Sequence, residues 1–353
     1  MSSASSQALT AYGWDECLEN DFTRYRDAGL IPARIAAVDR GRCDAITETG
    51  PLRADTTTVE GPCTGDWAAL RPGGRPAVAA LLPRRTAIVR ASASGESRGQ
   101  VLAANVDTVA ITVSMAEPVD LGRIERLLAL AWESGARPVI VLTKADQVAG
   151  PAEEAALTEQ VAAVAPGADL VSCSAATGAG VDIVTAVLTG TIALIGVSGA
   201  GKSTLGNALL GAEVLATGTV REQDGKGRHT TVRRELRPLP GGGVLIDTPG
   251  LRGVGLIDAA AGLQRTFADV EGLALDCRFT DCAHDSEPGC AVLAAVEAGG
   301  LPRRRLDSYR KLQRENEWIA SRGDARLRAE RAGRYKELSK SLRQRYKIEG
   351  KKR

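Results

Sequence analysis

The chain has 353 residues, of which 44% are hydrophobic and 25% charged, values that exclude a wholly disordered or collagen-like protein and predict two or three domains. Its apolar runs are far shorter than the ~20 residues that cross a bilayer. The first residues lack the basic and apolar segments of a secretion signal, so we expect a cytoplasmic protein.

The formal net charge of +2 hides an uneven distribution of charge along the chain. Residues 301–353 contain 19 Lys or Arg against 7 Asp or Glu, a net charge of +12, which leaves −10 for the rest. The tail from Arg303 is typical of a solvated basic helix. Such an excess also favours phosphate backbones, and RNA is therefore a natural partner. Because aromatic residues make up only 3% of the chain, backbone contacts are expected to outnumber stacked bases.

Turn residues and apolar runs divide the chain into four parts. Residues 1–30 are polar and mixed, which predicts a flexible leader. Residues 31–92 place turn residues at intervals of roughly 8 to 12, a pattern typical of an all-β OB barrel, with a β-rich cap that binds no ligand as the alternative. A small, polar linker follows at 91–100. Residues 101–257 alternate strands with helices and predict an α/β domain with a mainly parallel sheet, and 258–353 predict an α-helical domain with a basic tail.

Within the α/β part, four helices are predicted in chain order. They lie near residues 122–134, 151–164 and 180–188, and from residue 202 onward. The strands between them are short apolar runs such as RPVIVLT and TIALIGV. This alternation is typical of an α/β domain with a mainly parallel sheet.

The sequence GVSGAGKST follows one of these strands and precedes a helix. Its glycines let successive backbone N–H groups surround phosphate oxygens at the positive end of the next helix. Lys202 is expected to reach the β and γ phosphates and to assist catalysis, and the Ser203 hydroxyl to bind Mg²⁺. The predicted phosphate-binding residues are Gly196, Val197, Ser198, Gly199, Ala200, Gly201, Lys202, Ser203 and Thr204.

A second phosphate motif, DTPG, ends another apolar strand. Asp247 is expected to hold Mg²⁺, and the Gly250 N–H to face the γ phosphate. The position after this motif is Leu251, which cannot orient water. His229 is the candidate for that task, and a loop histidine without a catalytic part is the alternative. Beside it, Thr230 or Thr231 is expected to coordinate Mg²⁺ while the γ phosphate is present.

Two further strand ends predict a base-reading site. The sequence TKAD, Thr143, Lys144, Ala145 and Asp146, offers a carboxylate at Asp146 that accepts hydrogen bonds from both N1–H and the 2-amino group of guanine. The Lys144 stem is expected to cover the base. Ser174 and the Ala175 N–H are expected to face the guanine oxygen. Thr143 replaces the usual Asn of the N-K-x-D motif, so guanine is favoured over adenine but not settled.

Three of the seven cysteines fall within fourteen residues, in the pattern C-x4-C-x-H-x5-C. Three thiolates and one imidazole form a closed tetrahedral set suited to one structural Zn²⁺, with buried free thiols beside a chance histidine as the alternative. The predicted ligands are Cys277, Cys282, His284 and Cys290. The remaining cysteines, Cys17, Cys43, Cys63 and Cys173, are interpreted as ordinary small residues.

The base-reading motifs precede the phosphate loop, the reverse of the usual GTPase order, which indicates a circular permutation. With AANVD, GRHTT and the cysteine cluster, the chain resembles the ribosome small subunit-dependent GTPase A family (RsgA/YjeQ type) over about residues 31–320. That resemblance implies an OB barrel, a permuted GTPase domain and a zinc domain. It further implies GTP hydrolysis stimulated by the small (30S) ribosomal subunit during late maturation, in a protein expected to be a monomer.

Alternatives to this function remain open on the residues alone. The first is a P-loop kinase or ATPase, which Asp146 distinguishes if guanine is read there. The second is a nucleotide-gated RNA-binding factor, or a permuted GTPase, that acts on another RNA assembly, because a basic tail names no particular RNA.

Overall fold

The computed structural model describes residues 7–90, 99–216, 234–247 and 259–323. Its first five strands close into a barrel in the order β1-β2-β3-β5-β4, as the sequence predicts. Alanines fill much of the interior, together with Ile35, Leu70 and Val78. The strands are β1 (Ile31–Asp39), β2 (Arg42–Thr47), β3 (Gly50–Asp55), β4 (Trp67–Arg71) and β5 (Ala77–Leu81).

The expectation of a flexible leader does not hold for residues 7–27. They form two helices, α1 (Gln7–Thr10) and α2 (Glu16–Asp27), and the Asp15 side chain caps α2 by accepting from the Leu18 N–H. Leu18 and Phe22 are four residues apart and therefore face the same side of α2, where both are buried. Apolar spacing hidden in a polar segment explains why composition alone gave the wrong expectation.

A two-stranded ribbon connects the barrel to the next part of the chain. It consists of β6 (Ala87–Arg90) and β7 (Gln100–Ala104), paired antiparallel. Residues 87–90 therefore lie outside the barrel, contrary to the predicted boundary at 92, and Gln100 belongs to a strand rather than to a linker. Residues 91–98 lie outside the described part of the chain.

A six-stranded sheet in the order β10-β9-β8-β11-β13-β12 forms the centre of the molecule. Its first five strands are parallel, and β12 pairs antiparallel with β13 at one edge. The strands are β8 (Thr108–Ser114), β9 (Arg137–Thr143), β10 (Asp169–Ser172), β11 (Thr191–Gly196), β12 (Glu235–Pro238) and β13 (Val244–Asp247). The predicted α/β architecture is confirmed.

Four helices cover this sheet on both faces. Leu128 of α3 and Val161 of α4 belong to one apolar cluster, whereas Val184 of α5 and Leu205 of α6 belong to another. All four helices lie where the sequence predicts them, as α3 (Leu121–Glu133), α4 (Pro151–Ala162), α5 (Val181–Val187) and α6 (Lys202–Leu210). From β8 the chain moves to β9 on one side and later returns to β11 on the other, which creates a switch point between β8 and β11.

Four further helices follow the sheet among the described residues, and the first and the last of them pack against α3. They are α7 (Ala260–Thr266), α8 (Ala268–Ala274), α9 (Ala291–Glu297) and α10 (Arg303–Gly323). Gly262 of α7 lies so close to α3 that an added Cβ would sit 2.1 Å from the Ala129 carbonyl oxygen. Among the described residues, no helix combines the length and the apolar composition that a membrane span requires.

The beginning of α10 is not the solvated helix that its charge predicts. Leu306, Tyr309 and Leu312 are buried, and their spacing of three residues places them on one face of the helix. Arg305, between them in charge-rich sequence, is only 2% exposed. Residues 324–353, the rest of the basic tail, lie outside the described residues.

Candidate nucleotide site and Cys–His cluster

The predicted nucleotide-binding motifs meet at one edge of the sheet. Strand β9 ends at Thr143, β10 at Ser172, β11 at Gly196 and β13 at Asp247, and all four strands run in the same direction. We call this the carboxyl edge. Ligands of open α/β sheets bind beyond the carboxyl ends of the strands at the switch point, which here lies beside β11.

The phosphate loop, residues 196–204, connects β11 to α6. Gly196, Gly199 and Gly201 all have positive φ, at 149°, 85° and 78°. At Gly196 there is also no room for a side chain, since an added Cβ would lie 2.3 Å from the Thr112 hydroxyl oxygen. Gly201 caps α6 without any side-chain hydrogen bond to the first turn. The helix thus begins with backbone N–H groups suited to an anion.

Lys202 turns back over this loop. Its Nζ donates to the carbonyl oxygens of Gly196 and Val197, at 2.9 and 2.6 Å. The ammonium group is therefore held at the concave side of the loop, within the first turn of α6. A phosphate group in the loop meets a positive charge that is already in position, which reduces the reorganisation needed on binding.

Thr143 ties the base-reading end of the site to the phosphate end. Its hydroxyl is 2% exposed and lies 2.9 Å from the Ala200 carbonyl oxygen of the phosphate loop. The Val113 carbonyl oxygen is farther away, at 3.2 Å. Thr143 lacks the side-chain amide of the Asn that is usual in the N-K-x-D motif. Its hydroxyl compensates for this loss because it donates directly to the phosphate loop.

The two base-reading loops also contact each other. The Ala145 N–H donates to the Cys173 carbonyl oxygen at 3.2 Å, and Lys144 adopts a left-handed conformation with φ of 61°. Ser174 is buried, and its Oγ accepts from the Thr177 N–H, which fixes the second loop. Asp146 is exposed at the surface beside these loops. The structure therefore brings TKAD and Ser174 together, as the sequence predicts.

Ser203 and Asp247 are the two predicted Mg²⁺-binding side chains that lie among the described residues. Ser203 is half-buried in the first turn of α6, and Asp247 is half-buried at the end of β13, paired in register with Leu194 of β11. A hydroxyl in the first turn of the helix after β11 and a carboxylate at the end of β13 are oxygen donors of the kind that Mg²⁺ prefers. Gly250, His229, Thr230, Thr231 and Leu251 lie outside the described residues.

The four predicted zinc ligands form one cluster, the Cys–His cluster. Their ligand atoms all lie within 4.8 Å of one another. His284 Nδ1 is 3.6 Å from Cys277 Sγ and 3.5 Å from Cys290 Sγ, and the two sulfur atoms are 3.9 Å apart. Tetrahedral Zn²⁺, with Zn–S of about 2.3 Å and Zn–N of about 2.0 Å, requires separations of about 3.5 to 3.8 Å. The donor set therefore fits zinc in both chemistry and spacing.

A carboxylate that the sequence analysis did not identify shapes this cluster. Glu287 accepts from the N–H groups of Ala283, Asp285 and Ser286 at 2.7 to 3.0 Å. Its own backbone N–H, together with these three, holds the pKa of the Glu287 carboxyl at about 2. The carboxylate folds the loop that carries His284, whose own φ is 55°. A single Glu inside the motif gave no sequence signal for this role.

A buried ion network fastens the C-terminal helices to α3. Glu125 of α3 is fully buried and accepts from Arg305 Nη1 at 2.8 Å and from Arg304 Nη2 at 2.9 Å. Arg305 also donates to Asp269 of α8 at 2.9 Å and lies 4.3 Å over the Phe267 ring. The sequence did not reveal this contact, because both arginines belong to a run interpreted as solvated.

Comparison with known proteins agrees with this geometry. The family described as RsgA GTPase matches residues 81–257. The protein "Small ribosomal subunit biogenesis GTPase RsgA" of Streptomyces coelicolor is 55% identical over 343 residues, which cover 95% of this chain and 94% of the relative. The chain belongs to the RsgA GTPase family. It is therefore a GTP hydrolase.

Two solved structures share the fold. The "Crystal structure of YjeQ from Thermotoga maritima" has a TM-score of 0.61 at 23% identity and covers 81% of this RsgA-family chain and 98% of that chain. "The crystal structure of YloQ, a circularly permuted GTPase" has a TM-score of 0.57 at 20% identity and covers 82% and 95% of the two chains. Both structures thus show that the fold of this chain is one already known.

Proposed function

We propose that this chain is a ribosome-associated GTPase whose hydrolysis of GTP is stimulated by the small ribosomal subunit during late maturation of that subunit. The observation that carries the proposal is the joining of the carboxyl edge to a barrel with exposed arginines. The relative from Streptomyces coelicolor is named for small ribosomal subunit biogenesis. We expect a cytoplasmic monomer.

At the base end, Asp146 accepts the two guanine donors, Lys144 covers the ring, and Ser174 with the Ala175 N–H faces the guanine oxygen. Support comes from the direct link between the two loops and from the Thr143 hydroxyl, which joins them to the phosphate loop. Binding of the base is thereby coupled to the geometry of the phosphates, as guanine-dependent hydrolysis requires.

At the phosphate end, the loop N–H groups and Lys202 hold the β and γ phosphates and stabilise the charge that develops during phosphoryl transfer. Ser203 and Asp247 would hold Mg²⁺, with Thr230 or Thr231 and the Gly250 N–H completing the γ-phosphate side. The ion supplies charge neutralisation when bound. His229 orients the attacking water, because Leu251 has no hydrogen-bonding group. Full stimulated turnover in His229→Ala would remove this role.

The Cys–His cluster would hold one Zn²⁺ through Cys277, Cys282, His284 and Cys290. Three thiolates and an imidazole leave no open position, so the ion supplies structure rather than catalysis. The cluster orders the segment between α8 and α9. Near this segment, Arg305 of α10 pairs with Asp269 of α8 and with Glu125 of α3, which fastens the neighbouring helices to α3. We infer that the zinc region and the GTPase sheet move together on the ribosomal subunit.

The barrel supports an RNA partner. Arg40 lies in the β1–β2 loop, and Arg71 and Arg75 lie at the β4–β5 loop, and all three side chains are exposed. These are the two loops with which OB barrels bind oligonucleotides. Arginine guanidinium groups bind phosphates through two donors at once. The barrel therefore offers backbone contacts to ribosomal RNA in addition to those expected of the basic tail.

GTP hydrolysis by the purified full chain tests the proposal. Turnover is measured alone and with isolated small or large ribosomal subunits, at low and high salt, with ATP as the control nucleotide. We expect a large rise with the small subunit only, lost at high salt. Replacing Arg40, Arg71 and Arg75 with Ala should weaken the stimulation, whereas Arg123→Ala, an exposed arginine on α3, should not. Unchanged slow turnover with either subunit would direct the search to another RNA assembly.

A further inference from the structure

The AANVD segment, residues 103–107, lies where the barrel meets the six-stranded sheet. Asn105 has a positive φ of 52° between β7 and β8. Its side chain donates to the Gly65 carbonyl oxygen of the barrel at 3.0 Å and accepts from the Arg85 N–H at 3.0 Å. The Ala104 N–H donates to the Thr64 carbonyl oxygen at 3.0 Å. This segment is thus bonded to the barrel at several points.

Arg34 of β1 reaches across the same boundary. Its Nη2 donates to the Asn105 carbonyl oxygen and to the Thr191 hydroxyl of β11, both at 3.1 Å. Its Nη1 donates to the Tyr12 carbonyl oxygen at 3.2 Å, and the guanidinium lies 4.5 Å over the Trp67 ring. One side chain therefore joins the amino-terminal segment, the barrel and the first residue of β11.

Asp107 fixes that first residue from the sheet side. Its carboxylate accepts from the Thr191 N–H at 2.7 Å, and its own N–H donates to the Thr191 carbonyl oxygen at 2.8 Å. Strand β11 runs for six residues from Thr191 to Gly196, where the phosphate loop begins. We call Arg34, Asn105, Asp107 and Thr191 the barrel junction. It is connected to the phosphate loop by a single short strand.

Burial of the Arg34 guanidinium has a high desolvation cost for a side chain that only supports the fold. The side chain is 2% exposed, its Nε has no hydrogen-bond partner, and within the described part of the chain it forms no ion pair. Burial lowers the pKa of the guanidinium to about 10, so that it remains charged at neutral pH. The Asp66 and Asp107 carboxylates act on this cation from beyond ion-pair distance, and its hydrogen bonds go to neutral oxygens. Such a buried cation contributes geometry more readily than stability.

We propose that Arg34 and Asn105 are positioning residues that hold the barrel at one orientation on the sheet. The barrel arginines and the phosphate loop then meet the small ribosomal subunit as one rigid unit, and stimulation depends on that orientation. The second statement rests on the proposed function, and the first does not. Arg34 donates hydrogen bonds to Tyr12, Asn105 and Thr191 and to no residue of the phosphate loop, so its effect on intrinsic hydrolysis is small.

The first arm of the test measures the orientation without any ribosome. Spin labels are placed on Cys17, the exposed cysteine of α2, and on Ala186→Cys, an exposed position of α5, with two labels per chain verified. We expect a single narrow distance distribution in the parent protein and a broadened one in Arg34→Met. Ile35→Val, which alters the neighbouring barrel core without touching the junction, should keep the narrow distribution.

The second arm measures hydrolysis with and without small subunits. Arg34→Met should lower stimulated kcat at least ~10-fold while intrinsic turnover and GDP affinity change less than ~2-fold, because misplacement by an ångström is enough to cost such a factor. Arg34→Lys keeps the charge but not the two-nitrogen donor geometry of the guanidinium. Its stimulated kcat should lie between those of the parent and Arg34→Met. If Arg34→Met does not fold, Thr191→Val is used in its place, because this variant removes only the hydroxyl acceptor on β11.

The two arms separate the possible failures. A distance distribution as narrow in Arg34→Met as in the parent overturns the positioning role. Absence of stimulation in the parent protein contradicts the proposed function, while the distances still decide the role of the junction. A broadened distribution with full stimulation contradicts the link between orientation and stimulation.

Discussion

The Cys–His cluster takes its four ligands from one segment of the chain, Cys277 to Cys290, whereas the carboxyl edge takes its groups from four strands between Thr143 and Asp247. The cluster depends on local chain geometry and on the one Zn²⁺ that we propose it shares. The edge depends on the register of a whole sheet and on a single hydroxyl that joins its two ends. The Cys–His cluster is therefore expected to lose its structure when the metal is lost. The carboxyl edge is expected to lose function when its base-reading and phosphate loops are no longer aligned.

The largest effect is expected at the cluster. Cys290→Ser removes one of four ligands, and structural zinc contributes about 10 to 16 kcal/mol of binding free energy in small zinc domains, most of which the variant should lose. Zinc content, measured by elemental analysis, should fall from one ion per chain to nearly none, while GDP binding persists. Cys17→Ser is the matched control and should keep its zinc. Zinc retained in Cys290→Ser would refute the ligand assignment.

Removal of a single charge at the carboxyl edge is expected to abolish chemistry without unfolding. Lys202→Ala should lower GTP turnover ~100- to 1,000-fold, because one preorganised donor near the developing charge contributes about that much. The zinc content and thermal midpoint should stay those of the parent. Lys311→Ala, an exposed lysine of α10, is the control for loss of one positive charge. Near-normal turnover in Lys202→Ala would place the phosphates elsewhere.

The short motifs of both sites could be predicted from the sequence, but the contacts that hold the sites together could not. The phosphate loop, the base-reading loops and the zinc ligands were found because each is a short motif whose spacing follows from its chemistry. Three features were not found: the Thr143 bond to Ala200, the Glu125–Arg305 network, and the packing of α2 against Trp67 of the barrel. These contacts join residues distant in the chain, and a buried arginine in a basic run has the same sequence signal as a solvated one.

The contact between the two regions is the third target. Glu125→Gln removes the buried charge that faces Arg305, and loss of one partner of a buried pair costs about 3 kcal/mol. Hydrogen exchange should show α10 and the cluster segment opening independently of the sheet. Glu315→Gln, at the half-buried pair with Arg126, should cost less than about 1 kcal/mol. Equal protection in Glu125→Gln and the parent would show that the network does not couple the two regions.

A smaller effect is expected from the hydroxyl that aligns the edge. Thr143→Val leaves the Ala200 carbonyl oxygen without its partner, at a cost of about 1 to 2 kcal/mol, and should weaken GDP binding about tenfold. Thr143→Ser keeps the hydroxyl and should bind GDP like the parent. Calorimetric titration measures both. If Val and Ser behave alike, the hydroxyl has no part in joining the base loops to the phosphate loop.

The smallest effect concerns Glu287 and is a test by pH. A carboxyl with a folded pKa of about 2 contributes stability above its ordinary pKa, and that contribution is lost only as pH falls toward 2. The difference in zinc retention between the parent and Glu287→Gln should therefore be constant from pH 5 to 8. Glu297→Gln, outside the cluster loop, is the control. A difference that grows or disappears within this range would mean that Glu287 titrates there.

The central claim is that a permuted carboxyl edge reads guanine through Asp146, and exchange of the base tests it most directly. Asp146→Asn replaces an acceptor with a donor, which suits the C2 oxygen of xanthine instead of the amino group of guanine. Turnover of GTP and XTP is compared in the parent, in Asp146→Asn and in the exposed control Asp182→Asn. We expect the preference to change by at least ~100-fold toward XTP in Asp146→Asn alone. An unchanged preference for GTP in that variant would contradict the assignment of the base site.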